Sequence, residues 1–299
     1  MTETVIETIQ RDSVISFPLL GLELNPPASF SVFGFPIYFY GVLIVCGFLL
    51  AMLYCTRRAP IFGIKPDDFF PDMILWLLPL VIVGARIYYI LFRLDDYLAH
   101  PASMLAIRDG GLAIYGGVIA GALVVFFFCR RRKISVPAML DLVVYGLLIG
   151  QIIGRWGNFM NREAFGAETD IFCRMGLTPP GGTTVYVHPT FLYESLWNLI
   201  GLIFLIVWER RGKRKYDGQC ALIYFFWYGL GRAWIEGLRT DSLYIGNTGL
   251  RVSQLLSLVL CVGALTVLIV QSRRRHDPRD LFVNRNLNKT ETEAEETGR

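Results

Sequence analysis

Apolar residues in this chain gather in blocks of about 20, each long enough to cross a hydrocarbon core, rather than in the one-sided stripes of water-soluble helices. Six blocks qualify directly: Ile37 to Tyr54, Phe69 to Phe92, Leu112 to Phe128, Ala138 to Ile153, Thr190 to Trp208 and Leu250 to Val270. A seventh, Cys220 to Leu238, carries Arg232 and Glu236 near one end and is otherwise aromatic and aliphatic. The pattern predicts an all-α polytopic membrane protein with seven transmembrane helices over 37–271, an outward cap over 159–188, and two polar ends. Residues 1–36 hold an amphipathic stretch, Val14 to Leu24, closed by Pro26 and Pro27, which reads as a helix lying on the membrane face. Residues 272–299 are polar and acidic toward the end and read as a disordered cytoplasmic tail.

Charge then orients the bundle, because short cytoplasmic connections concentrate lysine and arginine. Arg57, Arg58 and Lys65 follow the first block; Arg130 to Lys133 follow the third; Arg210, Arg211 and Lys213 to Lys215 follow the fifth; Arg273 to Arg275 follow the seventh. The alternate connections carry far fewer, so the N-terminus is expected outside and the C-terminus in the cytoplasm. Of 299 residues 54% are hydrophobic, and the net charge of +4 belongs mostly to this collar, which excludes a nucleic-acid footprint. The first 36 residues lack the basic and apolar pattern of a cleavable leader, and none is expected. Five of the six cysteines fall in or beside the blocks and only Cys173 lies in an outward connection, against a disulfide framework. No CxxC or HExxH spacing suggests a metal, and no cofactor is expected.

The candidate chemistry centres on Gly154-Arg155-Trp156-Gly157-Asn158-Phe159-Met160-Asn161-Arg162-Glu163-Ala164-Phe165-Gly166, at the end of the fourth block. A charged group costs roughly 2.5 kcal/mol or more at the centre of a membrane helix, so this stretch requires compensation. It reads as a helix that ends near Asn161 beside a polar cavity open to the outer side. Other polar residues fall at the same ends of the blocks: Tyr40, Arg86, Asp109, Tyr115, His188, Glu194, Tyr228, Arg232, Glu236 and Arg239. Several have a structural reading beside the functional one. Tyr40 fits an interfacial aromatic belt, Arg86 fits a side chain reaching for headgroups, His188 fits a residue preceding a helix, and Arg232 with Glu236 fits an ion pair four residues apart. Taken together they are rich in arginine, whose planar fork holds phosphate through paired hydrogen bonds. At headgroup depth, in a chain without a nucleotide loop, that phosphate is expected to be a lipid's.

The thirteen-residue stretch resembles the signature of prolipoprotein diacylglyceryl transferases, bacterial enzymes that begin lipoprotein maturation. Tyr40-Gly41, Gly84-Ala85-Arg86, Asp109-Gly110-Gly111, Tyr115-Gly116-Gly117, His188-Pro189-Thr190 with Tyr193-Glu194, and Tyr228-Gly229 with Arg232, Glu236 and Arg239 agree in order along the chain. The resemblance implies a multi-pass enzyme of the bacterial inner membrane that takes phosphatidylglycerol and the lipobox cysteine of a prolipoprotein signal peptide. The sulfur attacks the glycerol carbon bearing the phosphate, forming a thioether and releasing glycerol 1-phosphate. Arg155 and Arg232 would hold the phosphate, with Arg239 or Arg86 assisting. Asn158, Asn161 and Glu163 would order the site, and Tyr40 and Tyr228 would line it. Glu236 and Tyr115 join the expected catalytic set, while Asp109, Gly166 and His188 join the expected substrate-binding set.

One departure changes the expected chemistry. Many family members have His-Gly-Gly where this chain has Tyr115-Gly116-Gly117. A phenol with an ordinary pKa near 10 is a poor base at neutral pH, whereas a thiol near 8.5 ionises readily in an electropositive pocket. Thiol activation is therefore expected to rely more on the arginine field than on one dedicated base. A transporter would need paired broken helices reachable from both faces, and a purely structural charge cluster would need a carboxylate for every arginine; neither pattern is evident.

Overall fold

In the computed structural model, residues 9, 12–99, 101–106, 110–240 and 251–285 are described. The longer helices are α1 (Phe39–Arg58), α2 (Ile74–Leu91), α3 (Ile114–Arg132), α4 (Val136–Asn161), α5 (Thr190–Arg210), α6 (Gln219–Ile235) and α7 (Val252–Ser272). Among the described residues, six helical stretches are long and apolar enough to cross a membrane: Phe39–Phe62, Asp68–Leu91, Ile114–Arg132, Val136–Asn161, Thr190–Arg210 and Val252–Ser272. The stretch expected as a further span, Cys220 to Leu238, is helical but shorter. Helix α6 has 17 residues and runs into a 3-10 turn at Glu236–Leu238.

The chain divides into two compact units. The first comprises residues 1–54, 144–215 and 219–276. Within it α1 approaches α4 over glycines. A Cβ at Gly154 would lie 3.4 Å from Ile44, and one at Gly157 would lie 2.6 Å from Tyr40, so the signature glycines let Tyr40 lie directly against the helix. Helices α5 and α6 are joined by Trp197 and Trp227, stacked 4.4 Å apart, each indole donating to the other's backbone carbonyl at 2.9 Å. Stacking and paired indole bonds satisfy both polar nitrogens without water.

Strands β1 (Val14–Phe17), β2 (Leu22–Leu24), β5 (Met175–Thr178) and β6 (Val185–Val187) make an antiparallel sheet in the order β2-β1-β5-β6. Strands β3 (Ser29–Val32) and β4 (Phe35–Tyr38) form a hairpin leading into α1. The interfacial helix expected at Val14 to Leu24 is thus corrected to a strand, a 3-10 turn and a strand. Val14 and Ile15 are β-branched and favour the pleat, while Pro18 and the left-handed Gly21 (φ 59°) break any helix. Ile15 pairs with Leu177 and is fully buried with Met175, Val187, Phe159 and Phe191. This core seats the sheet on the ends of α4 and α5, so the N-terminal segment and the 159–188 connection fold as one cap.

The second unit comprises residues 55–143, 216–218 and 277–299. Here α2 and α3 pack through Gly84, Gly116 and Gly117, where a side chain would meet the opposite helix. The polar tail departs from the disorder expected of it over 278–285. Pro278–Asp280 is a 3-10 helix, the Phe282 N–H donates to Asp217 at 3.0 Å, and the Val283 backbone lies against Gly63. Aromatic and aliphatic Leu281, Phe282 and Val283 interrupt the polar run and supply the burial that anchors it.

Candidate active site

Helix α4 stops where the sequence suggests, at Asn161, because Arg162 takes a left-handed conformation (φ 53°). Its buried guanidinium donates to the carbonyl oxygens of Ser13 (3.0 Å), Met160 (2.6 Å) and Pro26 (2.7 Å) and to Asn25 Oδ1 (3.0 Å). Arg162 therefore ties the N-terminal segment to the end of α4.

Just before that turn, Arg155 pairs with Glu194 of α5. Arg232 of α6 donates to the other side of the cluster, reaching Glu194 at 2.8 Å and Glu236 at 2.6 Å, and Arg239 lies 3.7 Å from Glu194. Three guanidinium groups thus converge on one buried carboxylate. Glu236 also accepts from Ser253 at 2.6 Å, and its backbone carbonyl accepts from Arg251. The five side chains Arg155, Arg232, Arg239, Glu194 and Glu236 carry a net charge of +1, from three positive and two negative groups. A surplus cation in a desolvated cluster favours an anion.

From sequence Glu194 is one polar residue among several at the block ends, with no role in catalysis or binding expected of it. Its signal was present: a carboxylate in the first turns of an otherwise apolar span requires a cation.

The asparagines form a second layer. Asn158 and Asn161 both donate to Glu163 Oε1, at 2.9 and 3.3 Å, and Asn161 Oδ1 is buried with no hydrogen-bond partner among the described residues. Tyr40 lies in the field of both Glu163 and Arg155, and Tyr228 in that of Arg232 and Arg155. The first unit alone therefore brings together Tyr40, Arg155, Asn158, Asn161, Glu163, Tyr228, Arg232, Glu236 and Arg239.

Gly166 and His188 brace this assembly. A Cβ at Gly166 would lie 2.6 Å from His188 Cβ and 2.9 Å from the Leu238 carbonyl, so only glycine fits between them. The Gly166 N–H donates to the His188 carbonyl at 2.9 Å, and Ala167 N–H to Leu238 at 2.7 Å. These bonds fix Arg239 beside the cap. His188 Nδ1 is 3.4 Å from the Tyr193 hydroxyl, which is 3.5 Å from Cys173 Sγ. Burial lowers the His188 pKa from its ordinary value.

Arg86 and Tyr115 belong to the second unit. All five N–H donors of Arg86 are taken by backbone carbonyls: Met104 (3.0 Å), Gly110 (2.7 Å), Gly111 (2.9 Å), Ser103 (2.6 Å) and Ala106 (3.4 Å). With these five bonds Arg86 clamps the backbone of Ser103 to Ala106 and of Gly110 and Gly111. A cavity of about 350 Å³ opens beside it, lined also by Tyr89, Arg93 and Tyr97. Tyr115 stands in the first turn of α3, partly exposed. Asp109 lies outside the described residues.

Among the described residues no group of three or more histidine, cysteine, aspartate or glutamate side chains is arranged to hold a metal.

The family model for prolipoprotein diacylglyceryl transferase matches residues 27–270. A relative from Enterococcus faecalis, named phosphatidylglycerol--prolipoprotein diacylglyceryl transferase, is 45% identical over 270 residues, covering 87% of this chain and 95% of its own. Relatives of the same name from Limosilactobacillus reuteri and Streptococcus agalactiae are 45% and 43% identical, covering 85% and 84% of this chain and 92% and 97% of theirs. The match spans the signature, the helices that carry Arg155, Glu194 and Arg232, and most of the cap, and the chain belongs to the prolipoprotein diacylglyceryl transferase family.

Proposed function

We propose that this protein transfers the diacylglyceryl group of phosphatidylglycerol to the lipobox cysteine of bacterial prolipoproteins, the first step of lipoprotein maturation. It works in the inner membrane with seven spans, α6 being the shortest, and with its N-terminus outside. The observation that carries the reading is the convergence of Arg155, Arg232 and Arg239 on Glu194 at the span ends that bear the cap.

In the reaction the cysteine sulfur bonds to the glyceryl carbon next to the phosphate. The carbon to oxygen bond breaks, and its electron pair leaves with glycerol 1-phosphate. The phosphodiester begins with one negative charge and the departing monoester gains a second, so fixed cations aimed at that oxygen stabilise the transition state more than the ground state. Arg155 and Arg232 hold the phosphate, and Glu194 keeps them aligned between turnovers. Asn158, Asn161 and Glu163 order the glycerol and the approach of the peptide. The arginine field raises the thiolate fraction of the incoming cysteine, and the thiol proton passes to solvent on the open side.

Mass spectrometry of a lipobox peptide incubated with the purified protein in phosphatidylglycerol nanodiscs tests this. The peptide gains one diacylglyceryl group through sulfur, and the gain drops at least tenfold with Arg155→Lys, which keeps the charge and loses the fork. A peptide that gains no lipid contradicts the assignment.

A further inference from the structure

One helical turn before Arg155, on the same face of α4, stands Gln151, about 6 Å along the axis toward the interior of the span. Its Nε2 donates to the Tyr224 hydroxyl of α6 at 2.8 Å. Tyr224 is 4% exposed and stacks on Tyr228, with ring centroids 5.6 Å apart and planes 15° from parallel. Gln151 Oε1 is buried with no hydrogen-bond partner among the described residues. A buried amide oxygen without a donor is costly in an apolar span. The pair is also neutral, which separates it from the charged cluster beside it.

From this we infer that Gln151 and Tyr224 form a subsite for the headgroup hydroxyls of the lipid substrate. The inference rests on the proposed transferase reading and adds what the enzyme recognises beyond the phosphate. The orphaned atom is an acceptor, so its partner must bring a hydrogen. In phosphatidylglycerol the diacylglyceryl half has ester oxygens only, and the hydrogen-bond donors are the two hydroxyls of the headgroup glycerol. A hydroxyl also accepts, matching the remaining amide N–H of Gln151 and the phenol O–H of Tyr224. An ammonium headgroup would find no carboxylate in this pair. Gln151 and Tyr224 thereby select a polyol over other headgroups, while the arginines hold the phosphate common to all of them.

The test compares phosphatidylglycerol with phosphatidylpropanol, which lacks both hydroxyls, as lipid donors for the same lipobox peptide. The unaltered protein favours phosphatidylglycerol by about tenfold or more, the scale of one or two buried hydrogen bonds. In Gln151→Leu the rate with phosphatidylglycerol falls to that with phosphatidylpropanol, and the preference disappears. Tyr224→Phe keeps the ring and its stack on Tyr228, and its preference shrinks severalfold in the same direction; it carries the test should Gln151→Leu fail to fold. A preference unchanged in both variants, an equal loss with both lipids, or a loss confined to the KM for peptide overturns the inference. Failure of the unaltered protein to modify the peptide at all would instead refute the underlying transferase reading.

Discussion

Glu194 carries the electrostatics of the site, since it is the anion shared by Arg155, Arg232 and Arg239. Removing one partner of a buried ion pair costs about 3 to 5 kcal/mol, because the remaining charge stays desolvated. Glu194→Gln should therefore lower the unfolding midpoint in nanodiscs sharply as well as impair lipid transfer, and a variant as stable as the parent would contradict the hub. Tyr115 is expected to matter less. Tyr115→Phe should retain most of the turnover, measured as lipidated peptide per minute, whereas its abolition with lipid binding intact would make the phenol the base. His188 gives a pH signature with a definite sign. Burial holds its folded-state pKa below 6.5, so the stability it contributes is complete above pH 6.5 and is lost as pH falls through the lower folded value. His188→Gln should flatten that acid-side slope in thermal unfolding. At this scale the sequence made the arginines legible, because charge in an apolar run stands out. It did not reveal that Arg86 spends all its donors on carbonyls, which depends on a loop 17 to 25 residues away.

The cap shows what hydrophobic pattern leaves undecided among elements. Val14 to Leu24 reads as amphipathic under either period, and the strand prevails because β5, more than 150 residues later, offers paired hydrogen bonds and a pocket for Ile15. Partner strands of such separation are invisible to local periodicity. The long spans were legible for the opposite reason, since each satisfies its own backbone bonds and needs no distant partner. Arg162 joins the two kinds of element. Arg162→Ala should release the N-terminal strand, seen as faster hydrogen exchange at Val14 to Phe17 and earlier proteolysis before Phe39, while α4 to α6 stay protected. Unchanged exchange in β1 would show that sheet pairing alone holds it.

Across the molecule, six stretches among the described residues satisfy the length and composition of a span, and α6 falls just short, because the chain leaves the α-helix at Glu236. The sequence located that polar end correctly while reading the helix through it. The residues that end α6 are thus the ones that pair in the charged cluster, Arg232 and Glu236. The central claim is that the guanidinium groups of Arg155 and Arg232 grip a lipid phosphate. Solid-state NMR of guanidinium-labelled protein in phosphatidylglycerol bilayers measures this directly, through dephasing of arginine nitrogen by lipid phosphorus. The account predicts phosphorus-coupled guanidinium signals that vanish separately in Arg155→Lys and Arg232→Lys; a coupled spectrum identical in the parent and both variants would contradict it.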